Sequence, residues 1–233
     1  MKKFAFVLLA LAAFSVMALP AMADAALDFA LQPPTPGSIS YAGKAQPLIG
    51  KNLQVDSVVG LSTPLHSGAN IQILNGSLSF TTGLFDGYSN TPGLQAWDFA
   101  SGGSITLSGC VDILTPGDHK CDAGDPQGVL LQGHFGAVTV QAFGKTFKVL
   151  GAEFFNVTNP LLAEYFGFAP NSQWEGGLNL SFMATGLPPG AFKSSQALSG
   201  DIVDSPVPEP ASLALLGTAF CGLASLTKKK LGR

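Results

Sequence analysis

Hydrophobic and polar residues alternate along much of this chain. In residues 77–82, "SLSFTT", Leu78 and Phe80 fall on one side of an extended backbone. Residues 104–108, "SITLS", do the same with Ile105 and Leu107. In "AVTVQAF" Val138 and Val140 oppose Thr139 and Gln141. In "LNLSFMA" Leu178, Leu180, Phe182 and Ala184 oppose Asn179 and Ser181. A period of two with small polar residues on the alternate face predicts half-buried antiparallel strands. The segments "DSVVGL", "NIQIL", "LQAWDFA", "GVLLQG" and "TFKVLGAEFFNV" are further strand candidates. Gly- and Pro-containing clusters such as "DGYSNTPG", "LTPGD" and "GLPPG" separate them.

This spacing predicts an all-β fold of about eight to ten short strands, an antiparallel β-sandwich of jelly-roll-like or irregular form. The expected core is Leu78, Phe80, Ile105, Leu107, Val138, Val140, Phe155, Leu180 and Phe182. Residues 31–48, rich in Pro and Gly, read as an irregular lead-in. One helical turn is expected after residue 159. Asn159 can cap it, Pro160 suits the first helical position, and Gly167 can end it. Leu161, Leu162, Tyr165 and Phe166 would pack this turn on a sheet edge.

Composition agrees with a packed domain. Hydrophobic residues make up 46% and charged residues 12% of the 233, the reverse of a disordered chain. Both ends depart from the strand pattern. Lys2 and Lys3 precede an apolar stretch from Phe4 to Leu19, and Ala21 and Ala23 supply small residues before Asp24. That is the layout of a secretion signal occupying residues 1–23, cleaved after Ala23. The exported domain is then residues 24–204. Between residues 24 and 208 six lysines stand against fourteen acids, a net charge of about −8, with no arginine. Such a surface is unsuited to nucleic acid or anionic lipid.

Cys110 and Cys121 are the two cysteines of this exported part. In an oxidising compartment they are expected to form a disulfide worth about 2–3 kcal/mol. The surrounding polar stretch "DILTPGDHKCDAGDPQG" offers Asp118, Asp122 and Asp125 as weak Ca²⁺ candidates, without the spacing of a twelve-residue calcium loop. No cofactor is otherwise expected.

Catalytic signals are sparse. There is no GxSxG, and His66, His119 and His134 have no paired motif. Glu153, Glu164 and Glu175 could supply a carboxylate pair for glycoside hydrolysis, but spacing alone sets no separation in space. Asn75, Asn156 and Asn179 begin N-x-[ST] triplets, read as coincidental. Trp97 and Trp174 are candidate sugar contacts, with burial in the core the competing fate.

The C-terminal segment, residues 205–233, carries three parts. Pro206, Pro208 and Pro210 favour an extended, accessible strip. Residues 211–226 are apolar, about 24 Å as a helix against a hydrocarbon core of about 30 Å. Lys228, Lys229 and Lys230 then place positive charge on the cytoplasmic side of a transmembrane helix. Val207-Pro208-Glu209-Pro210, Leu213, Leu215-Leu216-Gly217, Gly222-Leu223 and the basic end together resemble the PEP-CTERM sorting signal of exopolysaccharide-producing Gram-negative bacteria. The chain ends Lys-Lys-Lys-Leu-Gly-Arg where that signal has an arginine run. The resemblance implies recognition of Pro208, Glu209 and Pro210 by an exosortase. It also implies a transient inner-membrane intermediate and delivery to the cell surface or extracellular matrix. The expected function is therefore that of an exported, non-catalytic surface or matrix protein. A carbohydrate-binding module for exopolysaccharide is the alternative, and a secreted hydrolase the third reading.

Overall fold

The structure is a computed structural model that describes residues 25–207. The expected signal peptide with Ala21, Ala23 and Asp24, the sorting residues Pro208, Glu209 and Pro210, and the apolar segment 211–226 lie outside the described residues. Among the described residues no helix is long and apolar enough to cross a membrane.

Twelve strands form in chain order. They are β1 (Ala26–Leu31), β2 (Thr35–Tyr41), β3 (Pro47–Gln54), β4 (Ser57–Leu61), β5 (Asn70–Thr91) and β6 (Leu94–Phe99). Then follow β7 (Gly102–Val111), β8 (Gln127–Phe135), β9 (Val138–Phe143), β10 (Thr146–Thr158), β11 (Trp174–Met183) and β12 (Phe192–Pro206). One helix, α1 (Pro160–Tyr165), joins β10 to β11. The described residues are thus all-β and antiparallel with one short helix, as the alternation predicts. The Pro- and Gly-rich lead-in departs from its expected irregularity: it contains β2, which pairs with both β12 and β3.

The pairings close on themselves. Around one end, hydrogen bonding runs β12–β1–β4–β5–β7–β8–β10–β11 and returns to β12. Around the other it runs β12–β2–β3–β5–β6–β9–β10–β11 and returns to β12. Each circuit passes through eight strands, an even number, as an all-antiparallel closed sheet requires. Strands β5, β10, β11 and β12 belong to both circuits. The other eight belong to one each, and β5, β10 and β12 change partners midway. The two layers expected of a sandwich are therefore walls of one continuous sheet. Among the described residues, closure leaves no long unpaired edge for another chain to extend.

The interior is filled by inward-facing residues, with Leu78, Phe80, Ile105, Leu107, Val138, Val140, Leu180 and Phe182 all buried. An aromatic cluster forms where Trp97, Phe147, Phe182 and Phe192 meet, with ring centroids 5.0–5.9 Å apart. Gly50 makes room for one wall residue: a Cβ there would lie 2.2 Å from the Phe80 ring.

Phe155 corrects the expected core. It is 63% exposed, while its neighbour Phe154 is fully buried. The cause is a bulge in β10 between Val149 and Ala152. Before it the odd positions Phe147 and Val149 face inward; after it the even positions Ala152, Phe154 and Asn156 do. One extra residue inverts the parity of everything that follows.

Helix α1 is capped as expected. Asn159 Oδ1 accepts from Leu161 N at 3.0 Å and Leu162 N at 3.4 Å. Leu162, Ala163 and Phe166 are buried, but Leu161 is 47% exposed and does not pack inward. With no open edge nearby to cover, the turn instead packs over the β4 and β11 ends. Phe166 fills the space above Gly60, and Phe168 meets Trp174 edge-on at 5.0 Å.

Candidate functional site

The outer surface near the ends of β8, β10, β11 and β12 carries an open depression of about 570 Å³. Its construction follows from the register. His134 on β8 pairs with Phe155 on β10, Phe155 with Glu175 on β11, and Glu175 with Ser205 on β12. Residues at matched positions on neighbouring strands share a face, so these four form one outward row. Two residues further toward the end, Gln132 pairs with Val157, and Val207 N donates to Gln173 O at 2.8 Å. Gln132, Val157, Gln173 and Val207 form the second row. Both rows contribute to the depression, through Gln132, His134, Phe155, Val157, Gln173 and Val207.

The rows mix one large apolar face with hydrogen-bonding groups. Phe155 and Val157 are 63% and 64% exposed. His134 is held by its Nδ1, which donates to Gly103 O at 2.8 Å, so its Nε2 is the ring nitrogen left for other contacts. Glu175 pairs with Phe155 in the first row. Glu153 lies two residues before Phe155 on the same outward face. Among the described residues no lysine or arginine lines the depression.

Behind this surface lies a buried polar cluster. Asp204 is fully buried on the inward face of β12. Asn156 Nδ2 donates to its Oδ1 at 2.9 Å, and Thr158 Oγ1 to its Oδ2 at 2.6 Å. Burial pushes the Asp204 carboxyl up to about 6; the hydrogen bonds from Thr158 and Asn156 work against that rise but do not cancel it. Gly176 is required beside this cluster, since a Cβ there would lie 2.4 Å from the Phe154 ring and 3.0 Å from Asp204 Oδ1. Asn156 pairs directly with Trp174. Among the described residues the buried atoms Asn156 Oδ1 and Trp174 Nε1 have no hydrogen-bond partner. Each such atom costs about 1–3 kcal/mol when left unpaired, and both residues line the depression.

The residues singled out in the sequence fare differently. Cys110 and Cys121 form the expected disulfide, with Cα atoms 6.0 Å apart. Trp97 and Trp174 are 0% and 1% exposed, so neither offers a ring face to a sugar; Trp97 Nε1 donates to Gly190 O at 2.9 Å within the interior. Their burial corrects the candidate sugar contacts. Asp118, Asp122 and Asp125 do not gather around one point. Asp125 accepts from Ile113 N at 3.1 Å, Leu114 N at 3.0 Å and Asp122 N at 2.8 Å. Asp118 accepts from Lys120 N at 2.9 Å, and Asp122 from Thr115 Oγ1 at 3.4 Å. Among the described residues one group of three potential ligand side chains converges, Cys110, Cys121 and Asp125, and both its sulfurs are in the disulfide. These carboxylates organise the turn, and as folded they do not fit the six to eight oxygens of Ca²⁺.

The three histidines are not brought together. His66 stacks on Tyr165 at 4.1 Å, His119 Nδ1 lies 2.6 Å from Gln72 Oε1, and His134 belongs to the depression. Glu153 and Glu175 share the outward face around Phe155, whereas Glu164 sits on α1. Of the three N-x-[ST] asparagines, Asn156 is buried.

No family model matches this chain, and neither a curated protein nor a solved structure matches it. Sequence reasoning missed Phe155 as a surface residue because the bulge has no signature in the alternation. It missed Asp204 because an aspartate in "DIVDSP" looks like any outward strand position.

Proposed function

We propose that this protein is an exported, non-catalytic surface or matrix protein, sorted and processed by an exosortase through Pro208, Glu209 and Pro210. The observation that supports the reading is where the described chain leaves the barrel. Leu27 pairs with Asp204, so the start of β1 and the end of β12 lie side by side at one end of the sheet. Segments 1–24 and 208–233 are therefore continuous with adjacent strand ends. A chain threaded outward by its first segment and retained by its last would carry the barrel on one side of the membrane, without a loop having to cross the fold. Strand β12 runs through Pro206, and Val207 is still hydrogen-bonded to Gln173. The sorting residues Pro208, Glu209 and Pro210 thus follow directly on Val207 in the chain.

The test is processing of the full chain in an exosortase-positive host. Wild-type protein is expected to appear outside the cell shortened at its C-terminus. Glu209→Ala is expected to stay cell-associated at full length. Equal processing and release of both would remove the proposal.

A further inference from the structure

We infer that the outer face of β8, β10, β11 and β12 around Phe155 is a binding platform for a neutral, hydroxyl-rich glycan chain. This rests on the reading of the protein as an exported, matrix-associated one and names the partner it would meet there.

Two observations carry the assignment. First, Phe155 lies 63% exposed in the depression, on the outward face of β10. A pyranose ring has an apolar C–H face that covers an aromatic ring, and its rim of hydroxyls needs donors and acceptors around that ring. Gln132, His134, Gln173 and Glu175 supply both kinds, on the strands flanking Phe155. The rows cross four strands, about 14 Å at the usual strand spacing, the reach of a short oligosaccharide rather than one sugar.

Second, charge selects among polymers. The lining contains no lysine or arginine, and Glu153 and Glu175 share the face. An anionic polysaccharide, a nucleic acid or an anionic lipid headgroup would meet like charge with nothing to offset it.

The experiment is affinity electrophoresis of the full chain in detergent, in native gels containing dextran, galactomannan or a mixed-linkage β-glucan, with alginate as the anionic comparison. At least one neutral polymer is expected to retard the wild type. Phe155→Ala is expected to weaken that retardation at least tenfold, and Phe155→Tyr to retain it. Gln132→Ala and Gln173→Ala are expected to weaken it three- to tenfold. Because Phe155 is largely exposed, Phe155→Ala should melt within a few degrees of wild type, which separates lost binding from lost folding. No retardation by any neutral polymer, equal retardation of wild type and Phe155→Ala, or retardation by alginate alone would overturn the assignment. So would Phe155-dependent flotation with phosphatidylcholine vesicles, or a Phe155-dependent dimer in sedimentation, since either gives the face a different occupant. Processing at Glu209 is measured separately, so failure of the sorting proposal and failure of this one give different results.

Discussion

Replacing Asp204 with Asn tests whether the buried cluster behind the depression is as costly as its geometry requires. Asp204 is fully buried, with two hydrogen-bond donors and no cation at its carboxylate, and burial raises its carboxyl from 3.8 to about 6. A carboxyl whose folded value is raised binds its proton more tightly in the native state than in the unfolded chain. Its contribution to stability is fully present below pH ~4, declines as pH rises, and is gone above pH ~6 once the native state must carry the buried charge. That rise corresponds to about 3 kcal/mol in total, most of it, about 2 kcal/mol, falling between pH 4 and pH 8. Asp204→Asn keeps the shape, still accepts from Asn156, and cannot ionise. Urea unfolding of wild type and variant at several pH values isolates the effect, because other carboxyls cancel in the difference; Asp28, raised by burial and by Asp201, is one of them. The wild type is expected to lose about 2 kcal/mol relative to the variant from pH 4 to pH 8, with the variant the more stable at pH 8 once its altered hydrogen bonding is allowed for. A difference that is flat with pH, or that grows in the opposite direction, would refute the account of Asp204 as a buried charge in an unfavourable site.

Two further outcomes follow from the fold. Replacing Cys110 and Cys121 together by Ala should lower stability by about 2–3 kcal/mol, the loop-closure effect of a bridge between residues 11 apart in sequence, read as a shift in the urea midpoint. Trp97→Ala should cost about 3–5 kcal/mol by emptying the aromatic cluster, while glycan binding per folded molecule stays unchanged; selective loss of binding without loss of stability would return Trp97 to the surface role the structure denies it.

The alternation of Leu78 with Phe80, Ile105 with Leu107 and Leu180 with Phe182 was sufficient to specify antiparallel strands and their inward face. Period-two patterning records only which side of a strand is dry. It is the same for two stacked sheets and for one sheet closed into a ring, so closure was not legible. Closure depends on which strand ends meet, as where Leu27 reaches Asp204 and Phe155 reaches His134. The short helix was legible because its capping chemistry is local: Asn159, Pro160 and Gly167 act within a few residues of one another.

The sequence by itself determined the strand content, the capped turn, the pairing partner available to Cys110, and the chemistry of the two flanking segments. Each depends on residue type and near spacing. Only the tertiary structure decided the site. The bulge between Val149 and Ala152 turned Phe155 outward, and the pairing of four strands set His134, Glu175, Gln132 and Gln173 around it. Closure of the sheet took Trp97 and Trp174 inside and buried Asp204 against Asn156 and Thr158. A one-residue shift reverses every side chain that follows it, and the pairings among β8, β10, β11 and β12 join positions as far apart in the chain as Thr146 and Met183. No local pattern encodes either, so the platform exists only once the sheet has closed.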